Sequence, residues 1–355
     1  MAPIPLVSIV IPCRNEATYI GSLLESVVRQ TYPHDALEVL VVDGDSDDRT
    51  PEVVKGYHRR YPWIRLLHNP ERYVPHAMNR GIRAAKGAVI IRMDAHADYP
   101  SDYVEILVRC LQELGADNVG GVLQTLPGAD TLWAHAIALA TSHPFGVGNA
   151  HFRIASGDYK KPLLVDTVPF GCYPRSVFDR IGWYDEDLIR NQDDELNARL
   201  IRSGGKIFLL PWLRIRYYAR KNLVDVARMF YQYGYFKPLV SLKVGRPATW
   251  RQFVPAFFVL GLLFPLMAAL AYWPLMRISV AILALHSLVN AGVSGHIAWQ
   301  KGRWKLWPYL WVVFLIIHTA YGWGYLRGMI DFYLLKKHRH QLLEAEITRS
   351  SGDDG

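Results

Sequence analysis

Val89-Ile-Ile-Arg-Met-Asp94-Ala-His96-Ala-Asp98-Tyr99 is an apolar run that ends in an acidic cluster able to hold a metal. A second run, Leu40-Val-Val-Asp43-Gly-Asp45-Ser-Asp47-Asp48, ends the same way. Short Val- and Ile-rich runs read as strands buried on both faces, the habit of parallel sheets. Two such strands ending in carboxylates build one cleft at the carboxyl edge of the sheet, where open α/β sheets bind ligands. Carboxylates repel a bare anion. They suit a nucleotide's base and ribose, and a divalent cation that carries a diphosphate. The pattern therefore points to an enzyme handling an activated, diphosphate-linked substrate.

Working outward, Val7–Ile11 reads as a first strand, Leu37–Val42 as a second, Ile64–Leu67 as a third, Val89–Met93 as a fourth and Val119–Leu123 as a fifth. Between them lie helical stretches. Asn15 is placed to cap a helix whose apolar stripe is Ile20, Leu23, Leu24, Val27 and Val28. Thr50-Pro51 reads as an N-cap followed by proline at the first helical position. A further helix is expected over 75–86. Strands alternating with helices imply right-handed crossovers and a mainly parallel, Rossmann-like sheet. No Gly-X-Gly-X-X-Gly follows the first strand, which argues against a dinucleotide-dependent oxidoreductase.

After about residue 250 the composition changes. Phe253–Trp273, Ile278–Ala298 and Trp307–Leu326 contain almost no charge, and each has roughly the 20 residues needed to span a bilayer. Trp273, Trp299, Trp304 and Trp307 sit at their ends, as interfacial aromatics do. Three such segments in succession favour membrane spans over buried core helices. Leu223, Val226, Ala227, Phe230 and Tyr233 share one face of a stretch over 222–236 that is flanked by Lys221, Arg228 and Lys237. That stretch reads as an amphipathic helix in the membrane interface. Three full spans would place the basic run Lys336–His340 outside, against the positive-inside tendency, so the number of crossings stays open at two, three or four. The expected division is a catalytic domain over 1–220, an interface helix and linker over 221–250, spans over 251–335 and a basic, then polar, tail over 336–355.

The bulk numbers agree. A net charge of +8 suits nucleic acid or an anionic membrane surface, and the apolar segments choose the membrane. Three widely spaced cysteines, Cys13, Cys110 and Cys172, suggest neither a disulfide framework nor a zinc site, and fit a reduced compartment. The start, Met-Ala-Pro-Ile-Pro-Leu, runs directly into a strand with no visible signal peptide.

Several stretches resemble one family. Ser8-Ile-Val-Ile-Pro12-Cys-Arg14-Asn15-Glu16, with Val-Val-Asp43-Gly-Asp45-Ser, is similar to the nucleotide-binding start of family 2 glycosyltransferases, which have the GT-A fold. Asp94-Ala-His96 resembles their Asp-X-Asp metal motif. Val168-Pro-Phe-Gly171-Cys172-Tyr-Pro-Arg175 resembles the acceptor segment, and Gln192-Asp193-Asp194-Glu195 the Glu-Asp motif. The resemblance covers residues 5–215. The stretch His318-Thr-Ala-Tyr321-Gly322-Trp-Gly324 is similar to the membrane end of succinoglycan-type exopolysaccharide glucosyltransferases.

The resemblance implies Pro12, Arg14, Glu16, Asp43, Asp45 and Asp94 as nucleotide-sugar ligands, and Gly171, Cys172 and Asp194 as acceptor contacts. Asp94 and His96 would hold a divalent cation, Mn²⁺ or Mg²⁺. Asp193 would be the general base. The residues support these roles in their own right. Arg14 can pair with phosphate or ribose oxygen and Glu16 with a hydroxyl. Asp43 can accept from an imide N–H, which uracil has and cytosine lacks, so a UDP- or dTDP-sugar is favoured. Asp45, Asp47 and Asp48 also read as a helix-capping turn, and only Asp45 is assigned a ligand role. His96 stands where the family has a second Asp. Either His96 binds the cation, or Asp98 replaces the carboxylate; Asp98 also reads as an N-cap for a helix starting near Pro100. Gln192 replaces the family Glu, leaving Asp194 and Glu195 to crowd Asp193. His286, His296 and His318 read as packing residues first, and His318 with Tyr321 and Gly322 as a candidate acceptor-lipid groove.

The expected activity is inverting transfer of a sugar, glucose for preference, from a UDP-sugar to a polyprenyl-diphosphate-linked saccharide at the cytoplasmic face of the cell membrane. Other glycan-assembly enzymes are expected partners, and nucleic acid is not. Three alternatives compete. A polyprenyl-phosphate sugar synthase would need no general base. A processive synthase would need a Gln-X-X-Arg-Trp motif, which is absent. A non-catalytic anchor on a degenerate transferase fold is suggested only by His96 and Gln192.

Overall fold

The computed structural model describes residues 4–154, 161–247 and 250–337. It comprises two compact units. The first takes residues up to Gln124 and from His151 to Tyr217. The second takes Thr125–Ala150 and the chain from Tyr218 onward. The expected contiguous catalytic domain over 1–220 is thus interrupted. Its inner segment, 125–150, packs with the later apolar helices. The basic run from His338 onward lies outside the described residues.

The first unit opens with β1 (Val7–Cys13), α1 (Ile20–Val28), β2 (Leu37–Asp43), α2 (Thr50–Arg60), β3 (Ile64–His68), α3 (Val74–Ala84) and β4 (Val89–Arg92). β1, β2 and β4 are buried along their whole length, in keeping with their mostly apolar runs. β1 pairs in parallel with both β2 and β4, and β2 with β3. The strand order 3-2-1-4 reverses beside β1, which puts the topological switch point between β1 and β4.

Beyond β4 the chain departs from the expected parallel pattern. It continues through β5 (Ala97–Asp98), α4 (Tyr103–Glu113) and β6 (Asn118–Leu126). Next come α5 (Leu132–Ala140), the one-turn helices α6 (Pro144–Val147) and α7 (His151–Ile154), then β7 (Leu163–Leu164). β8 (Cys172–Pro174), α8 (Ser176–Ile181), α9 (Gln192–Arg202) and β9 (Ile207–Tyr218) complete the sheet. β8 runs antiparallel to β4 and β6, and β9 antiparallel to β5 and β7. The nine-stranded sheet is therefore mixed. Strand–helix alternation predicts crossovers only where each helix returns the chain to the same edge. The expected fifth strand exists as β6, but it joins the sheet through an antiparallel neighbour.

Two expected caps move. α1 begins at Ile20 and has no side-chain cap, and Asn15 takes up a left-handed conformation (φ 54°). Its N–H donates to Ser46 Oγ at 2.8 Å and its Oδ1 accepts from Asp47 N at 2.9 Å, so it ties the loop after β1 to the loop after β2. Thr50 lies inside α2. Asp48 serves the cap instead, accepting from Thr50 N at 2.9 Å and from Ala17 N at 3.0 Å. Asp98 is no N-cap either. It lies in β5 and faces Arg216 at 3.4 Å, and α4 starts only at Tyr103.

The second unit holds α10 (Leu223–Val244), α11 (Val254–Ala268), α12 (Met276–Gln300) and α13 (Trp307–Met329), together with α5 and α6. Three helical stretches, Trp250–Ala268, Trp273–Gln300 and Trp304–Leu334, are long and apolar enough to cross a membrane. α10 is longer than the expected 222–236 and packs on α13 through glycines. A Cβ on Gly324 would lie 2.1 Å from the Tyr231 carbonyl, and one on Gly234 the same distance from the Tyr321 carbonyl. Because the clash is with backbone, Gly324→Ala must push the helices apart. It is expected to cost about 1–3 kcal/mol, read as a lowered melting temperature of the detergent-solubilised protein.

Candidate active site

The carboxyl ends of β1, β2 and β4 lie side by side, with Cys13 in register with Asp43, and Val10 with Arg92. Pro12 is compatible with β1 because β4 stops at Arg92. Val10 accepts from Met93 N, and Pro12, two residues on, presents its missing N–H to the same side, past the end of that strand.

The loop after β2 is a closed network. Asp43, 6 % exposed, accepts from Ser46 N at 3.1 Å and from Ser46 Oγ. Its carboxylate keeps lone pairs for a further donor. Asp45, also in a left-handed conformation (φ 59°), is held by Arg72, whose Nε donates at 3.0 Å, and approaches His68 at 3.6 Å. The hydrogen bond from Arg72 lowers its pKa. Arg14 has a buried Nε with no hydrogen-bond partner. A buried donor left unmade is costly, so a polar atom at this position would relieve it.

Arg92 organises the rest, and the sequence reading did not single it out. It lies at the end of a fully buried strand with its side chain 8 % exposed. Its Nε and Nη2 donate to the two oxygens of Asp94 at 2.8 and 3.1 Å. Its Nη1 donates to both oxygens of Asp193 at 2.9 and 2.8 Å. One guanidinium thus ties the metal-motif aspartate to the expected base. Burial would lower its basicity, but Asp193 and Asp94 hold it well above the ordinary value, so it stays cationic. The signal was present: an arginine in an otherwise apolar strand must be paired.

Asp193 occupies the first turn of α9, entered through Asn191 in a left-handed conformation (φ 60°). Burial raises its carboxyl above the usual range; Arg92 opposes the rise, and Asp94 and Asp194 add to it. Glu195 does not crowd it as expected. It pairs instead with Arg199, at 2.6 Å.

Asp94 N donates to Tyr99 Oη at 2.8 Å, and Tyr99 packs on Phe170. His96 Nδ1 stands 3.6 Å from Glu16 Oε1, and its ring meets Tyr217 edge-on. Glu16 therefore faces an imidazole. Asp94 and His96 side chains are 17 % and 33 % exposed. Among the described residues no three His, Cys, Asp or Glu side chains form a closed metal cluster. A hard carboxylate beside an imidazole fits a cation that completes its shell with diphosphate oxygens and water.

The expected acceptor residues are placed differently. Cys172 is fully buried in β8, and burial pushes its thiol up. Gly171 accepts from Arg92 N at 3.1 Å, and a Cβ on it would strike Asn118 Oδ1 at 2.5 Å. Gly171 thus meets the end of β4 through its backbone, and the Cys172 side chain has no surface to offer an acceptor. Asp194 lies partly buried beside Asp193 on α9. Of the six non-glycine residues with left-handed backbone among those described, five are Asn15, Asp45, Arg72, Phe170 and Asn191. All five lie in the loops that carry this site, where strain is characteristically stored.

Residues 8–182 match the family described as glycosyl transferase family 2. The succinoglycan biosynthesis protein ExoA of Rhizobium meliloti is 30 % identical over 328 residues, covering 91 % of this chain and 95 % of that protein. A dolichyl N-acetyl-alpha-D-glucosaminyl phosphate 3-beta-D-2,3-diacetamido-2,3-dideoxy-beta-D-glucuronosyltransferase of Methanococcus voltae is 26 % identical over 332 residues, covering 91 % of this chain and 97 % of its own. Among solved structures, a mannosyltransferase of Pyrobaculum calidifontis in complex with GDP-Man and Mn²⁺ superposes with a TM-score of 0.58 at 19 % identity, over 93 % of this chain and 88 % of that one. The cleft at the switch point, the GT-A sheet and these matches agree: the chain belongs to glycosyl transferase family 2 and is a glycosyltransferase.

Proposed function

We propose that this glycosyltransferase acts in polysaccharide assembly, moving a sugar, glucose for preference, from a UDP-sugar to a polyprenyl-diphosphate-linked saccharide with inversion at the anomeric carbon. The observation that carries the reading is the Arg92 bridge between Asp94 and Asp193. It couples the group next to the leaving diphosphate to a carboxylate with raised proton affinity. The two nearly full-length relatives support the setting, since one is named for succinoglycan biosynthesis and the other for transfer to a dolichyl-linked sugar.

In this reading Asp43 accepts from the imide N–H of the base, and Arg14 turns its unpartnered Nε toward the ribose or diphosphate. A divalent cation, when bound at Asp94 and His96, supplies positive charge to the leaving diphosphate. Asp193 takes the proton from the acceptor hydroxyl as that oxygen attacks. Arg92 keeps Asp193 oriented and partly offsets its raised pKa. The apolar helices hold the chain in the membrane, with α10 at the interface.

Binding of UDP, GDP and dTDP, each with and without Mn²⁺, tests the donor. UDP is expected to bind best and to need the cation; preference for GDP, whose guanine N1–H can also donate to a carboxylate, would overturn the choice of UDP. The membrane reading has its own measurement: the full-length protein should stay in the membrane pellet after a sodium carbonate wash, and recovery in the supernatant would make the apolar helices core.

A further inference from the structure

The second unit contains a small cavity of about 170 Å³, lined among others by Thr125, His135, Lys301 and Arg303. It lies between the segment following Gln124 and the Lys301-Gly302-Arg303 turn that joins α12 to α13. Thr125 Oγ1 is buried with no hydrogen-bond partner. Among the described residues Lys301 has no ion-pair partner. Arg303 Nη1 donates to His135 Nδ1 at 3.2 Å, so the His135 ring carries its proton on Nε2 and donates to Asp130 Oδ1 at 3.1 Å. Arg303 is thereby held in place with most of its donors unspent. Asp130, the one acid in this network, is fully exposed and weakly screens the two cations.

Two cations, one of them held through His135, and an orphan hydroxyl around a small cavity are a donor set for an oxyanion. The volume, roughly that of five waters, admits one phosphate group. Its position says where the phosphate comes from. Trp299, Trp304 and Trp307 flank the turn at 63 %, 59 % and 45 % exposure, as aromatics do at headgroup depth. Lys305 adds a third cation outside the cavity lining, and no acid occurs from Met276 to Ile330. Such a cation-only turn draws anionic lipid.

We propose that this cavity binds the phosphate of an anionic membrane phospholipid. The proposal rests on the reading of α12 and α13 as membrane spans and is independent of the donor sugar. The test uses the full-length protein in neutral detergent, titrated with phosphatidylglycerol, phosphatidylcholine or inorganic phosphate, with bound lipid counted by native mass spectrometry. One phosphatidylglycerol per chain should be retained in preference to phosphatidylcholine. Lys301→Gln with Arg303→Gln should weaken that retention at least tenfold. Thr125→Val, which keeps shape and charge, should weaken it severalfold, and Lys305→Gln should leave it close to wild type. Equal retention by the wild type and both cavity variants would overturn the proposal. So would displacement of the lipid by millimolar inorganic phosphate, which would make the site one for free phosphate. If the carbonate wash releases the protein, the membrane reading has failed; if the protein stays in the pellet and the cavity variants bind lipid normally, only the cavity assignment has.

Discussion

Asp193→Asn is expected to leave UDP affinity close to wild type and to cut transfer to a sugar hydroxyl by a factor on the order of 10² or more, the scale of a lost general base. The substitution removes a proton acceptor and almost no volume, and amide Oδ1 can still accept from Arg92. Asp194→Asn should cost far less, because Asp94 and Arg92 set the Asp193 environment alongside it. The pH dependence carries a second readout. Burial raises the Asp193 pKa, so the active, ionised form is lost at a higher pH than for an ordinary aspartate as the solution is acidified. The acid limb of kcat/KM should therefore lie above the usual carboxylate range and vanish in Asp193→Asn. Near-normal transfer by that variant with intact UDP binding would remove the base assignment. A polyprenyl-phosphate acceptor, whose nucleophile arrives already charged, would then be the better reading.

How much of this was legible in the sequence divides along the sheet. β1 to β4 could be read because each is a short, mostly apolar run, and β1, β2 and β4 are buried throughout. β8 could not: Cys172–Pro174 is three residues long, too short for any periodicity, yet it joins the two halves of the sheet and turns the later strands antiparallel. The segment 125–150 was assigned to the catalytic domain by position in the chain. α5 and α6 instead pack with α13, where the His318 ring meets the Phe145 carbonyl at 2.7 Å. Long-range packing of that kind has no local signature.

The site shows the same division. Asp43, Asp94 and Asp193 were conspicuous as candidates because carboxylates at strand and helix ends match a family pattern. Asn15 misled, because an Asn before an apolar stripe predicts a cap, whereas its side chain and N–H are used to join two loops. The burial of Cys172 was not legible, because a motif marks where a segment lies and says nothing about which of its side chains are exposed. Arg92 was overlooked among its apolar neighbours, although a lone arginine in a buried strand already demanded partners.

Arg92→Gln should have the broadest effect of any single change near the cleft. It would leave Asp94 and Asp193 facing one another without the cation that both contact. Removing one member of a fully buried ion pair costs about 3–5 kcal/mol. The cost here should be smaller, because the Asp94 and Asp193 side chains keep 17 % and 31 % exposure. Transfer should fall at least as far as in Asp193→Asn at neutral pH. Its pH profile should differ, however. Arg92 opposes the rise in the Asp193 pKa, so its loss must move the acid limb of the rate to still higher pH, and part of the activity should return in alkaline buffer. Arg92→Lys retains a charge but has no fork with which to bond two carboxylates at once. It should restore thermal stability more fully than rate, with an acid limb between those of the wild type and Arg92→Gln. If Arg92→Gln loses stability but shows an unshifted acid limb, Arg92 is only packing the end of β4. If the limb shifts and alkaline buffer recovers turnover, Arg92 positions and tunes the base.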